Sequence, residues 1–148
     1  MSDDQALQFL DTNVLIYAHD RSAGAKYDRA RMLITELWNS GKGCLSIQVL
    51  QEFYVNVTRK VPRPLDGPTA AQIISDLARW TVHVPNVADV LGAIEVQQRN
   101  QISFWDAMIV ASAVQLGCEV IWSEDLKPGH IYEGVRVTNP FEAQSASP

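Results

Sequence analysis

The chain has little cysteine and little positive charge, and each shortage narrows what it can be. Only two of its 148 residues are cysteine, Cys44 and Cys118, and both lie inside apolar runs with no CxxC or Cys/His spacing. That excludes a disulfide framework and a thiolate zinc site, and it fits free thiols in a reducing compartment. Twelve Lys and Arg stand against 17 Asp and Glu, a net charge of −5. A protein that grips nucleic acid through a broad basic face and counterion release is therefore disfavoured. Contact with RNA would need another source of positive charge, which a bound divalent metal supplies where the phosphate sits. No apolar run reaches the roughly 18 residues of a membrane span, and Met1–Gln5 is acidic where a secretion leader would be cationic. A cytoplasmic location without membrane association is expected. His19, His83 and His130 show no ligand spacing and are not assigned to catalysis.

What is present is apolar content of 47%, enough for a chain of this length to bury one continuous core. One domain over residues 1–148 is expected, with a core from about 6 to 141 and a polar tail over 142–148. Ala6–Leu10 reads as a strand that ends in Asp11-Thr12-Asn13 and a short helix from Val14. Helical spacing runs from Lys26 to Ser40 and is closed by Gly41. Cys44-Leu45 reads as a strand, and Ser46 as the cap of a helix from Ile47 to about Lys60. The proline-rich stretch from Pro62 to Pro68 reads as an exposed loop, after which Thr69 caps a helix to Trp80. Further elements are a strand at Val82–Val84, a helix from Val87 to Asn100, a helix from Phe104 to Leu116 capped by Ser103, and strands at Glu119–Trp122 and Val135–Thr138. Short apolar strands alternating with longer helices imply βαβ units, a mostly parallel sheet of about five strands covered by helices on both faces.

In such sheets, sites form at the carboxyl ends of strands. Asp11 follows the first strand and Asp125 the fourth, while Glu52 and Asp106 lie in helices. Taken singly, three of these acids have ordinary explanations: Asp11 as a cap, Asp125 as a turn residue, and Glu52 as a solvated side chain on a polar face with Gln48, Asn56 and Arg59. Asp106 fits the acidic position of a capping box, but it opens a helix, Ala107–Val114, that is apolar nearly all round. Its first turn therefore points into the protein, where an ionised carboxylate needs a partner. The closest cations in sequence are Arg99 and Lys127. Ser123 and Asp125 share one side if strand geometry persists, with their neighbour Glu124 turned away. Four carboxylates gathered at one sheet edge would repel unless a cation sat among them, and oxygen-only ligands select a hard ion such as Mg²⁺.

Together, Phe9-Leu10-Asp11-Thr12-Asn13, Gln51-Glu52-Phe53, Trp105-Asp106-Ala107 and Ser123-Glu124-Asp125 resemble the acidic signatures of PIN-domain nucleases, from Phe9 to about Phe141. Within that family the chain is most similar to the VapC-type toxins of bacterial toxin–antitoxin pairs. The resemblance implies an α/β/α sandwich and a Mg²⁺- or Mn²⁺-dependent endoribonuclease with an RNA substrate. It further implies homodimerisation and a cognate antitoxin as partner. It implies Asp11, Glu52, Asp106 and Asp125 as catalytic and metal-site residues, with Thr12, Asn13 and Ser123 as supporting polar groups. The last turn carries Ser where Thr is commoner, which retains the hydroxyl. Arg59, Lys60 and Arg63 are candidate contacts to RNA phosphates, or solvated charge at a helix end. Trp38, Trp80 and Trp105 are expected as core or dimer contacts in preference to base-stacking platforms. The alternative reading is a catalytically silent PIN-like module that binds RNA or protein. A phosphatase or receiver domain on a similar sheet is disfavoured, since the haloacid type of phosphatase expects Asp where this chain has Asn13.

Overall fold

A computed structural model describes residues 6–142; the expectations for Met1–Gln5 and for tail positions 143–148 lie outside the described residues. In chain order the elements are β1 (Gln8–Leu10), α1 (Thr12–Tyr17), α2 (Ala25–Ser40), β2 (Gly43–Ser46), α3 (Ile47–Arg59), α4 (Gly67–Leu77), β3 (Thr81–His83), α5 (Val87–Asn100), α6 (Phe104–Gln115), β4 (Val120–Trp122), β5 (Ile131–Tyr132) and β6 (Val135–Thr138). The strands form one sheet in the order β3-β2-β1-β4-β6-β5, parallel except for the β5–β6 pair. The expected α/β class with a mostly parallel sheet is thus observed, with six strands where five were expected.

Helices cover both faces, so the central strands β1 and β2 are buried on both sides at Phe9, Leu10, Cys44 and Leu45, whereas β6 alternates buried Val135 and Val137 with exposed Arg136. The two cysteines are buried and free. Every helix start except that of α2, which follows Gly24, is set by a side-chain cap. Ser46 accepts from the Val49 N–H, and Ser103 from the Asp106 N–H at 3.0 Å, both as the sequence suggests. The helix after the proline loop begins earlier than expected: Asp66, not Thr69, is its cap, with Pro68 in the first turn, and it ends at Leu77, short of Trp80. At Gly43 any side chain is excluded, because a Cβ there would stand 2.6 Å from the buried Trp80 ring.

The topology decides where chemistry can occur. From β1 the chain winds outward through β2 to β3, then crosses back to place β4 on the other side of β1. The carboxyl ends of β1 and β4 are therefore the point at which connections diverge, leaving a crevice between them. Leu10 pairs with Trp122 there, so the next residues, Asp11 and Ser123, stand side by side.

Candidate functional site

Asp11 is the most constrained group at this crevice. Its backbone N–H donates to the Trp122 carbonyl at 3.0 Å, continuing the β1–β4 pairing one residue past the strand. One carboxylate oxygen accepts from the Thr12 N–H at 2.7 Å, capping α1, and the other accepts from the Ser123 hydroxyl at 2.7 Å. Ser123 is itself wholly buried, and its oxygen accepts the N–H groups of Asp125 and Leu126, both at 3.1 Å. One hydroxyl thus ties the acid after β1 to the turn after β4.

Glu52 and Asp106 come to the same edge on helices. The Thr12 hydroxyl donates to Glu52 at 2.6 Å, and the Gln48 amide donates to its other oxygen at 3.1 Å and to the Trp105 carbonyl at 3.2 Å. Gln48 is buried, so the face of α3 that carries Gln48 and Glu52 looks into the protein; the reading of Glu52 as an ordinary solvated residue does not hold. The sequence reading places Gln48 on the polar face of Glu52 without giving it a role, although the spacing of four residues is the signal that pairs the two. Asp125 lies exposed at the rim.

The electrostatics connect these groups. Burial pushes the Asp11 carboxyl from 3.8 up to about 6, opposed by the Ser123 and Thr12 hydrogen bonds and reinforced by the charges of Asp125 and Asp106. Burial also raises Asp106, with Ser103 opposing and the charges of Asp125 and Glu52 adding to the rise. Asp106 and Asp125 thus act on Asp11, Asp125 and Glu52 act on Asp106, and no Lys or Arg is among the groups that act on either. Glu124 is absent from both sets; it turns to Tyr17 and Lys26, as the parity of the turn suggests.

An all-oxygen donor set with uncompensated negative charge fits a hard divalent cation. Two buried polar atoms at this edge, Asn13 Nδ2 and Gln48 Oε1, have no partner. Among the described residues no three His, Cys, Asp or Glu side chains close on a single point. The Asp11 and Glu52 carboxylates instead spend their oxygens on Thr12, Ser123 and Gln48.

Other expected residues stand apart. Arg59, Lys60 and Arg63 are exposed at and beyond the end of α3 and form no ion pair among the described residues. Arg59 is two turns from Glu52, roughly 10 Å along the helix. Trp80 is core and packs edge-on against the half-exposed Trp38 at 5.5 Å. Trp105 is 61% exposed, so of the two expected roles, core or dimer contact, the core one does not hold for it. None of the three histidines joins the acids: His19 faces the Leu15 carbonyl, His83 bridges Ser112 and Asp89, and His130 lies against Tyr132.

A family model described as PIN domain matches residues 9–133. None of the curated proteins compared matches the sequence. Solved structures do. A toxin–antitoxin complex from Klebsiella pneumoniae has a TM-score of 0.67 at 19% identity, covering 91% of this chain and 98% of that one. Mycobacterium tuberculosis VapC20, described as a sarcin–ricin loop cleaving toxin, has a TM-score of 0.59 at 21% identity, covering 80% and 89%. FitAB bound to a DNA fragment has a TM-score of 0.67 at 17% identity, covering 95% and 100%. Likenesses at these identities establish the fold.

Proposed function

This chain belongs to the PIN-domain family, and from that premise we propose that it is a Mg²⁺- or Mn²⁺-dependent endoribonuclease, the toxin of a toxin–antitoxin pair. The observation that carries the reading is Asp11: a buried carboxylate at the sheet's divergence point, on which the charges of Asp125 and Asp106 act and no cation does. Asp11, Glu52, Asp106 and Asp125 would hold the ion, with Thr12, Asn13 and Ser123 orienting them. When bound, the metal supplies positive charge for the scissile phosphate and acidifies water.

The chain's own residues divide the remaining work. Both Asp11 oxygens are engaged by fixed donors, so its part is to hold and orient. Glu52 is fixed in the same way by Thr12 and Gln48. The Asp106 carboxyl is raised from its ordinary value by burial and by the charges of Asp125 and Glu52; it would accept a proton from the attacking water as the new phosphorus–oxygen bond forms and the bond to the leaving oxygen, protonated from solvent, breaks. Arg59, Lys60 and Arg63 are proposed to steer RNA phosphates toward the acidic edge.

The purified protein is expected to cut single-stranded or structured RNA in Mg²⁺ or Mn²⁺ and to stop in EDTA. Cleavage that persists in EDTA, or none in either metal, sinks the assignment. Structural neighbours solved with antitoxins support a protein antitoxin as partner, and the free thiols support a cytoplasmic site of action. Among the described residues no helix is long and apolar enough to cross a membrane.

A homodimer is proposed on the exposed face of α5. Val87, Val90, Leu91 and Ile94 stand at one-face helical spacing, with Val87 76% and Leu91 58% exposed. Leu91→Glu is expected to convert a dimer to a monomer, read as a halving of mass in light scattering. An unchanged mass would place the interface elsewhere.

A further inference from the structure

Beside the acid cluster lies a paired group that the proposed reaction leaves unused. The Glu124 carboxylate accepts the Tyr17 hydroxyl at 2.8 Å and pairs with the Lys26 ammonium. Lys26 Nζ lies 5.0 Å and 5.5 Å from the ring centroids of Tyr17 and Phe141, which meet edge to face at 5.1 Å. Asn13 Oδ1 accepts the Glu124 N–H at 3.3 Å. The end of α1 and the first turn of α2 thus meet Glu124, and the segment after β6 packs against both through Phe141.

Glu124 sits between Ser123 and Asp125 in sequence, where a free carboxylate would be a competing ligand for any cation held by Asp125. Lys26 is 42% exposed, so its ion pair contributes little to stability. The consequence of the pair is geometric: it turns Glu124 away and neutralises it, leaving Asp125 as the acid of this turn that acts on Asp11 and Asp106. We infer that Lys26, with Tyr17, is a positioning residue that withdraws Glu124 from the acid cluster and so decides which carboxylate of the Ser123–Asp125 turn meets the cation.

This rests on the metal-dependent reading, and the test separates the two. Mn²⁺ binding is followed by electron paramagnetic resonance without substrate, and RNA cleavage is measured separately. In Lys26→Met the freed Glu124 charge is expected to tighten Mn²⁺ binding roughly fourfold, as one added charge about 10 Å from a divalent ion in water would. Cleavage is expected to fall roughly 10- to 100-fold, the range for losing a partner that orients a metal ligand. Lys26→Arg should behave as wild type. Adding Glu124→Gln to Lys26→Met should return both readouts to wild type, which a Lys26 acting directly on RNA would not allow. Unchanged Mn²⁺ binding in Lys26→Met, or a cleavage defect that survives Glu124→Gln, overturns the inference. A wild-type protein that binds no Mn²⁺ overturns the metal reading beneath it.

Discussion

Asp106→Asn is expected to lower RNA cleavage by at least roughly 100-fold, above the cost of losing an orienting partner, while leaving the protein folded. The substitution keeps the shape of the side chain and the Ser103 cap, because that cap uses the Asp106 backbone N–H and not the carboxylate. What it removes is charge and basicity. Asp106 is raised first by burial and then by Asp125 and Glu52, so a neutral amide relieves repulsion in the metal-free protein. The loss should therefore appear in kcat and not as unfolding, and circular dichroism of the variant should match wild type. Wild-type turnover by folded Asp106→Asn would remove this residue from the proposed machinery and move proton acceptance to another group.

Asp106 is also the acid that the sequence marks most strongly, and only part of the reason holds. The body of α6 does bury Ala107, Met108, Ile109, Val110 and Ala113, but its first turn is not inward: Ser103 and Trp105 are exposed and Asp106 is half-buried. The strand-end positions of Asp11 and Asp125 were legible for a similar reason, since short apolar runs punctuated by turn residues mark the ends of parallel strands. What could not be read was anything resting on long-range partners. Tyr17 and Lys26 meet Glu124 across 107 and 98 residues, and no local pattern encodes that meeting. The inward Gln48–Glu52 face of α3 looked like an ordinary solvated face because a polar site and bulk water select the same residue types. β5 escaped for want of length: two residues show no periodicity, and its link to β6 depends on Glu133 and Gly134 at φ 52° and 88°. At the start of α4, Asp66 and Thr69 are both capping residues three apart, and only the backbone shows which one caps.

Asp11→Asn should have the opposite effect on stability from the one it has on catalysis. The Asp11 carboxyl titrates near 6 in the folded protein against 3.8 as the ordinary value. The folded state therefore binds that proton more tightly than the unfolded chain does. Protonated Asp11 contributes stability that is fully present below about pH 4 and lost as the pH rises through about 6. At pH 7.5 the buried charge costs roughly 3 kcal/mol, at 1.36 kcal/mol per pH unit. Asparagine abolishes this cost but turns an N–H toward the Ser123 hydroxyl, which donated to the lost oxygen; that returns about 1 kcal/mol. In EDTA at pH 7.5 the variant should melt several degrees above wild type, on the order of 5 °C for about 2 kcal/mol in a domain of this size. At pH 4 the advantage should vanish. Saturating Mn²⁺ should then invert the order, since an ion at 100 times its Kd adds about 2.7 kcal/mol to the form that binds it and asparagine withdraws a charged ligand. A variant less stable than wild type in EDTA at both pH values would show that the Thr12 and Ser123 hydrogen bonds outweigh burial, and that Asp11 is a structural cap. The inverted order in Mn²⁺ requires instead that this acid is kept, at a cost to the empty fold, for the cation it meets.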